Sequence, residues 1–251
     1  MSIPTATVLF LAAAPFAIDL SAFTVRAALL FALVGLLYPA VVTLLTFRSN
    51  ELLGPTVTSA VSGTAPLFAI VAAAAMLGER VPPQAALAAL GVVIGIAILS
   101  WPGASAGARV VGRAIAWPLA GAALRGFAQA LAKAALIAWP NPFAASLIGY
   151  VVSSATVIGT DRLSGRLRRA PTRSSLAWFA LTGALNGSAV LLMYVALTRA
   201  PVSVVAPIVA SYPLVTALAS ALILREERLR GATFAGAAIT VAAIAWLVAS
   251  R

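Results

Sequence analysis

Residues Gly54–Arg80 read GPTVTSAVSGTAPLFAIVAAAAMLGER, and residues Ala200–Arg228 read APVSVVAPIVASYPLVTALASALILREER. Each stretch has a proline near its start (Pro55, Pro201), a proline in its middle (Pro66, Pro213) and a closing Glu-Arg pair (Glu79–Arg80, Glu227–Arg228). The leading prolines are 146 residues apart and the glutamates 148, so the copies align once two single-residue insertions are admitted. Further upstream, GLLYPAVVTLLTF falls opposite GALNGSAVLLMYV at the same spacing. The chain therefore carries an internal repeat, and internal repeats of this length in an apolar chain are the mark of a transporter built from two halves.

The composition around the repeat fits a membrane protein. Of 251 residues, 62% are hydrophobic and 9% charged, against roughly a quarter charged in soluble domains. Apolar runs of about 18 residues or more recur along the chain, each long enough to cross a hydrocarbon core of roughly 30 Å as a helix. The runs lack the alternation of a transmembrane barrel, so helices satisfy the backbone in lipid. The expected fold class is an all-α polytopic membrane helix bundle. With no Cys and no His there is no disulfide, thiolate nucleophile, imidazole base or His/Cys metal site. No GxSxG or paired buried carboxylates point to catalysis, so neither an enzyme nor a cofactor is expected. The formal charge of +11 sits in short loops between spans, where it sets orientation and meets anionic lipid; a nucleic-acid partner is not expected. The N-terminal MSIPTATVLFLAAAPFAIDL has no basic residue ahead of its apolar stretch and reads as a retained span, not a signal peptide.

Turn chemistry divides the chain into nine apolar segments, at roughly 3–19, 25–47, 55–77, 82–101, 114–138, 142–160, 175–197, 201–224 and 231–249. Five segments separate Glu79 from Glu227. Five is odd, so the copies enter the membrane from opposite sides and form an inverted repeat, with the substrate site near the midplane. The repeats are expected at 1–104, with four visible helices, and 112–251, with five. The segment 114–138 has no upstream counterpart, which predicts a further apolar span ahead of Met1.

A proline-containing span ending in Glu-Arg and followed by a span of small residues, as in TAPLFAIVAAAAMLGERV and SYPLVTALASALILREERL, resembles the EamA-type members of the drug/metabolite transporter superfamily. That resemblance covers essentially the whole chain. It implies a ten-helix secondary transporter of small metabolites, amino acids or drugs, often working outward, with both ends in the cytoplasm. Nine segments depart from that pattern.

The Glu-Arg pairs have two readings: interfacial caps that pin helix depth and order a tight turn, or ion pairs broken and remade as the halves rock. Arg125 stands some eleven residues into its segment, about 16 Å deep at 1.5 Å per residue. A charge there costs about 2.5–3.5 kcal/mol even on insertion scales, so it must face the bundle interior, water or a partner. Gln129 and Lys133 continue one polar stripe, and Lys133 is close enough to a span end to snorkel. A substrate carboxylate or phosphate would suit the guanidinium fork, with local carbonyls or water as the alternative. Pro66 and Pro213 are preceded by Ser62 and Thr64, and by Ser211 and Tyr212; both prolines are read as a cavity or hinge feature, against a packing kink. Tyr38, Tyr150, Asn186 and Tyr194 could complete a pocket. Gly91 with Gly95, and Gly183 with Gly187, are small-xxx-small packing pairs.

Loop arginines number eleven on one face and four on the other, which places the visible N-terminus in the cytoplasm and the C-terminus outside. All six acidic residues fall near span ends, so no coupling ion is named. The expectation is a multi-pass plasma-membrane exporter working by alternating access. Its partners are the lipid bilayer and a small molecule with an anionic group, as monomer or homodimer. The alternatives are a non-transporting assembly subunit and a lipid-translocating relative.

Overall fold

The computed structural model of the chain describes residues 2–99, 113–163, 173–212, 214–215 and 231–250. The described residues are almost wholly helical. Ten helices are used below: α1 Ser2–Ala17, α2 Val25–Gly35, α3 Val42–Ser62, α4 Ala65–Leu77, α5 Pro83–Leu99, α6 Ala116–Ala138, α7 Pro142–Leu163, α8 Arg173–Arg199, α9 Val202–Ala210 and α10 Gly231–Ala249. Four stretches among the described residues are long and apolar enough to cross a membrane: Val25–Gly54, Val57–Leu77, Pro142–Thr160 and Ser174–Arg199. Ser2–Ala17, Pro83–Ile98 and Phe234–Ala249 are shorter apolar helices. Large apolar side chains stand outward on many of them, Phe16 at 92% exposure and Trp178 at 67%. Apolar surface on that scale belongs against lipid.

The proline-rich segments are broken where backbone sterics require it. Residues 25–47 were expected as one helix, yet α2 gives way to a π-helical turn, Leu36–Val41, in which Tyr38 is extended (φ −139, ψ 123). The ring of Pro39 disfavours the helical region for the residue before it, and the Tyr38–Pro39 peptide is cis. The loop expected at SNELLGP reduces to one residue, Gly54 at φ 79, a conformation that glycine adopts without strain. The span expected at 55–77 is present as Val57–Leu77, but it is not one continuous helix around Pro66. Instead α3 stops at Ser62, and Pro66 falls in the first turn of α4, where its missing N–H would have had no partner.

The chain forms two compact units, residues 1–41 with 131–200 and residues 42–130 with 201–251. In the first unit, α7 packs on α1, α2 and α8, and α1 packs on α8. The helices approach to backbone contact: a Cβ on Gly35 would lie 2.5 Å from the Gly149 Cα, and one on Gly183 would lie 2.8 Å from the Ser2 carbonyl oxygen. Phe10 closes over Gly187 and stacks on Tyr150 at 5.4 Å.

The second unit centres on α5 and α10. Gly91 faces Ala243, and Gly95 faces Gly236 and Thr240. Around this seam lie Ala85, Ala88, Val204 and Leu247, and beside them Val92, Ile96 and Ala210. Lipid is as apolar as any side chain, so such pairs are held by close packing of small residues and not by expulsion of water. That is the physical role of the glycine pairs.

Candidate functional site

Arg125 is the tenth residue of the 23-residue α6, about 14 Å along its axis. Beside it, Gly126 has no side chain, and a Cβ there would fall 2.8 Å from the Ala65 carbonyl oxygen. The backbone of α6 at Arg125–Gly126 therefore rests on the first turn of α4, immediately after the break at Gly63–Thr64. The guanidinium Cζ lies 5.8 Å from the ring centroid of Tyr212, just past the end of α9. Both repeated helix breaks thus meet the same segment of α6, within one compact unit. Helices α4 and α9 also pack on each other.

The two breaks are built alike. At the first, the Thr64 N–H and hydroxyl both donate to the Val61 carbonyl, at 3.0 and 2.7 Å, and the Leu67 N–H donates to Thr64 O at 3.0 Å. At the second, the Ser211 N–H and hydroxyl both donate to the Ile208 carbonyl, at 3.2 and 2.7 Å, and the Leu214 N–H donates to Ser211 O at 2.9 Å. The hydroxyls of Thr64 and Ser211 thus spend their protons on their own helices, and what they offer a ligand is acceptor oxygen. Pro213, Glu227 and Arg228 lie outside the described residues.

Gln129, one turn after Arg125, is 5% exposed. Its Oε1 is one of four buried polar side-chain atoms without a hydrogen-bond partner among the described residues, with Thr58 Oγ1, Gln84 Oε1 and Ser203 Oγ. All four belong to the second unit. Buried polar groups in native proteins are nearly always bonded, so each such atom calls for a water or a ligand.

The remaining predicted polar residues gather in the first unit. The Tyr150 hydroxyl donates to Asn186 Oδ1 at 2.5 Å. Tyr38 lies within electrostatic reach of both Tyr150 and Tyr194. Tyr150 and Tyr194 are fully buried, while Asn186 is exposed. Thr7 extends the network: its hydroxyl bonds the carbonyls of Ile3 and Tyr150, at 3.1 and 2.9 Å, and Ser154 Oγ at 2.6 Å. Ser153 donates to the Gly35 carbonyl at 2.5 Å.

Two charged residues have partners that are distant in the sequence. Lys133 is half-buried and reaches a span end, where its Nζ donates to the carbonyls of Leu197, at 2.5 Å, and Ala200, at 3.2 Å. These carbonyls close the C-terminal end of α8, where the helix dipole is negative and favours a cation. Glu79 takes the capping alternative. Its Oε1 accepts from the Val202 N–H at 3.1 Å and its Oε2 from the Ser203 N–H at 3.4 Å. Pro201 at the start of α9 supplies no side-chain cap, so a carboxylate far away in sequence fills that place. Gly78, at φ 63, makes the turn that delivers it. Among the described residues the ion pair is Arg48–Glu51, at 3.1 Å, and not Glu79–Arg80.

The EamA-like transporter family model matches residues 1–101 and 112–249. The chain belongs to that family. Among solved structures, the EamA-family chain is similar to one described only as a crystal structure of a protein, at 17% identity and a TM-score of 0.74, covering 100% of this chain and 87% of the other. At that identity the likeness speaks for the fold. No curated protein matches the sequence. Members of the EamA family are membrane-embedded transporters of the drug/metabolite superfamily, not enzymes.

Proposed function

We propose that this EamA-family chain is a plasma-membrane exporter that moves a small metabolite or drug-like solute with an anionic group by alternating access, through nine spans arranged as two inverted copies. The observation that carries this reading is the meeting of both helix breaks with α6 at Arg125. The guanidinium has five N–H donors in a planar fork, enough to keep protein contacts and still receive a carboxylate or phosphate. Gln129 adds an amide oxygen with open capacity, and Tyr212 a ring against which the cation rests, an interaction of about 0.5–2 kcal/mol depending on desolvation. Helix breaks at a repeat interface are where transporters of this build bind substrate. Substrate contacts are assigned to Arg125, Gln129 and Tyr212, with acceptor oxygens from Thr64 and Ser211. Tyr38, Asn186 and Tyr194 are assigned to a polar cluster within the first unit, and Pro66 and Pro213 to hinges.

The test is counterflow in proteoliposomes with a panel of labelled amino acids, nucleotides, sugar phosphates and organic anions. Wild-type protein is expected to exchange at least one anionic solute, and Arg125→Ala to lose that exchange while keeping its elution profile in detergent. Unchanged exchange in Arg125→Ala removes the guanidinium from the site. A wild-type protein that exchanges nothing yet scrambles labelled lipid favours the lipid-translocating alternative; one that does neither favours an assembly subunit.

A further inference from the structure

Outside this site, a cavity of about 390 Å³ opens within the first unit, walled by the Asp19 loop, Trp139, Asn141 and Phe143, and by Leu191 and Val195 of α8. The loop is held by its backbone: the Asp19 carbonyl accepts from Asn141 Nδ2 at 2.9 Å and Trp139 Nε1 at 3.3 Å. Asn141 uses its other amide atom to cap α7, accepting from the Ala144 N–H at 2.9 Å. Trp139 is locked in turn by edge contact with Phe23, 5.1 Å between centroids, and Phe143 by edge contact with Phe10, 5.4 Å.

The Asp19 side chain is separate from that scaffold. Its carboxylate accepts from the Ser21 N–H at 2.8 Å. This bond first, and the Ser21 hydroxyl second, hold its pKa below the usual carboxylate value, so it is anionic at neutral pH. It forms no ion pair among the described residues. An ionised carboxylate has about four acceptor positions, so most of its capacity remains. The backbone adds to the same polarity. Helices α1 and α6 both end at this cavity, and neither carries a basic residue in its last turn. Those two C-termini contribute partial negative charge, and the α7 N-terminus, which also lines the cavity, has Asn141 Oδ1 accepting from one of its first-turn N–H groups.

We infer that this cavity is a binding subsite for an ammonium group, with Asp19 as counter-ion and the Trp139 and Phe143 rings as its apolar wall. In a chain of net charge +11, amines are repelled by most of the surface, so an ionised carboxylate at the mouth of a cavity with an aromatic wall selects them. The ammonium can be that of a free amine or of an ethanolamine lipid headgroup, since aromatic and polar residues at span ends sit at headgroup level.

The experiment uses the purified full chain, with benzylamine as the cationic probe and benzyl alcohol as its neutral counterpart. Titration calorimetry on delipidated protein is paired with native mass spectrometry of protein extracted from phosphatidylethanolamine-rich membranes. Asp19→Asn is expected to weaken benzylamine binding by about fivefold with benzyl alcohol unaffected, or to lose retained phosphatidylethanolamine. The first result identifies a free amine as the occupant, the second a headgroup. Asp19→Glu keeps the charge and is expected to retain the binding. Because Trp139 and Asn141 grip the backbone of residue 19, both variants keep the loop in place, which the circular dichroism melting curve checks. Equal benzylamine affinity and equal lipid retention in wild type and Asp19→Asn overturn the proposal. Transport enters neither readout, so failure here leaves the Arg125 reading standing.

Discussion

The two compact units differ in how several of their buried polar groups are partnered, although Ser49 and Thr240 in the second unit are bonded to their own helices. In the first, Thr7, Ser153, Tyr150 and Lys133 each donate to a defined acceptor, and the helices are tied together by those bonds. In the second, Thr58, Gln84, Gln129 and Ser203 each leave a buried polar atom without a partner among the described residues. Residue types do not distinguish the units, since hydroxyls and amides appear in both. What differs is whether a neighbouring helix brings a hydrogen-bond partner, donor or acceptor, to the right place. A saturated network makes a rigid frame, whereas open polar capacity suits a unit that receives water or solute.

The strongest way to break this comparison is through backbone packing in the saturated unit. A Cβ at Gly35 meets the Gly149 backbone, which has no flexible side chain to yield. Gly35→Ala is expected to cost about 3 kcal/mol, the upper end of overpacking, seen as a lower unfolding midpoint in detergent. No change in midpoint would mean that α2 and α7 are not in backbone contact. Next comes Thr7→Val, which keeps the shape and removes bonds to Tyr150 O and Ser154 Oγ; interhelical hydrogen bonds in membrane proteins average about 0.6 and reach about 1.7 kcal/mol, and the expected cost lies near the upper value. The same assay measures it.

In the second unit, Glu79→Ala strips the cap from α9 and is expected to cost about 1 kcal/mol. Glu79→Gln, which keeps acceptor oxygen, should recover part of that. Faster hydrogen exchange at Val202 and Ser203 in the alanine variant is the specific sign of a lost cap. The smallest effect sharpens the comparison most. Thr58→Val has the shape of Thr7→Val, but removes a hydroxyl with no partner among the described residues, so it is expected to leave stability unchanged within about 0.5 kcal/mol or raise it slightly. Equal losses at Thr7 and Thr58 would erase the distinction between the units.

Much of this was legible along the chain. Apolar runs bounded by Gly, Pro and loop arginines place the helices to within a few residues, because lipid demands length and apolarity of each helix separately. The helix breaks were legible from Pro66 and its neighbours, although their form was not: proline takes the start of a helix more cheaply than its middle, so Pro66 opens α4 instead of kinking it. Arg125 and Gln129 stood out as soon as their depth was counted.

What the chain determined by itself is everything that depends on local covalent chemistry: the apolar spans, the duplicated proline and Glu-Arg pattern, the positive charge in the loops and the absence of thiol and imidazole. Tertiary structure alone decided the pairings. Glu79 finds its N–H donors 123 and 124 residues away, Lys133 its carbonyls 64 and 67 residues away, and Tyr150 its amide 36 residues on. A hydrogen bond requires partners within about 3 Å, and only the packing of helices on one another brings such distant residues that close.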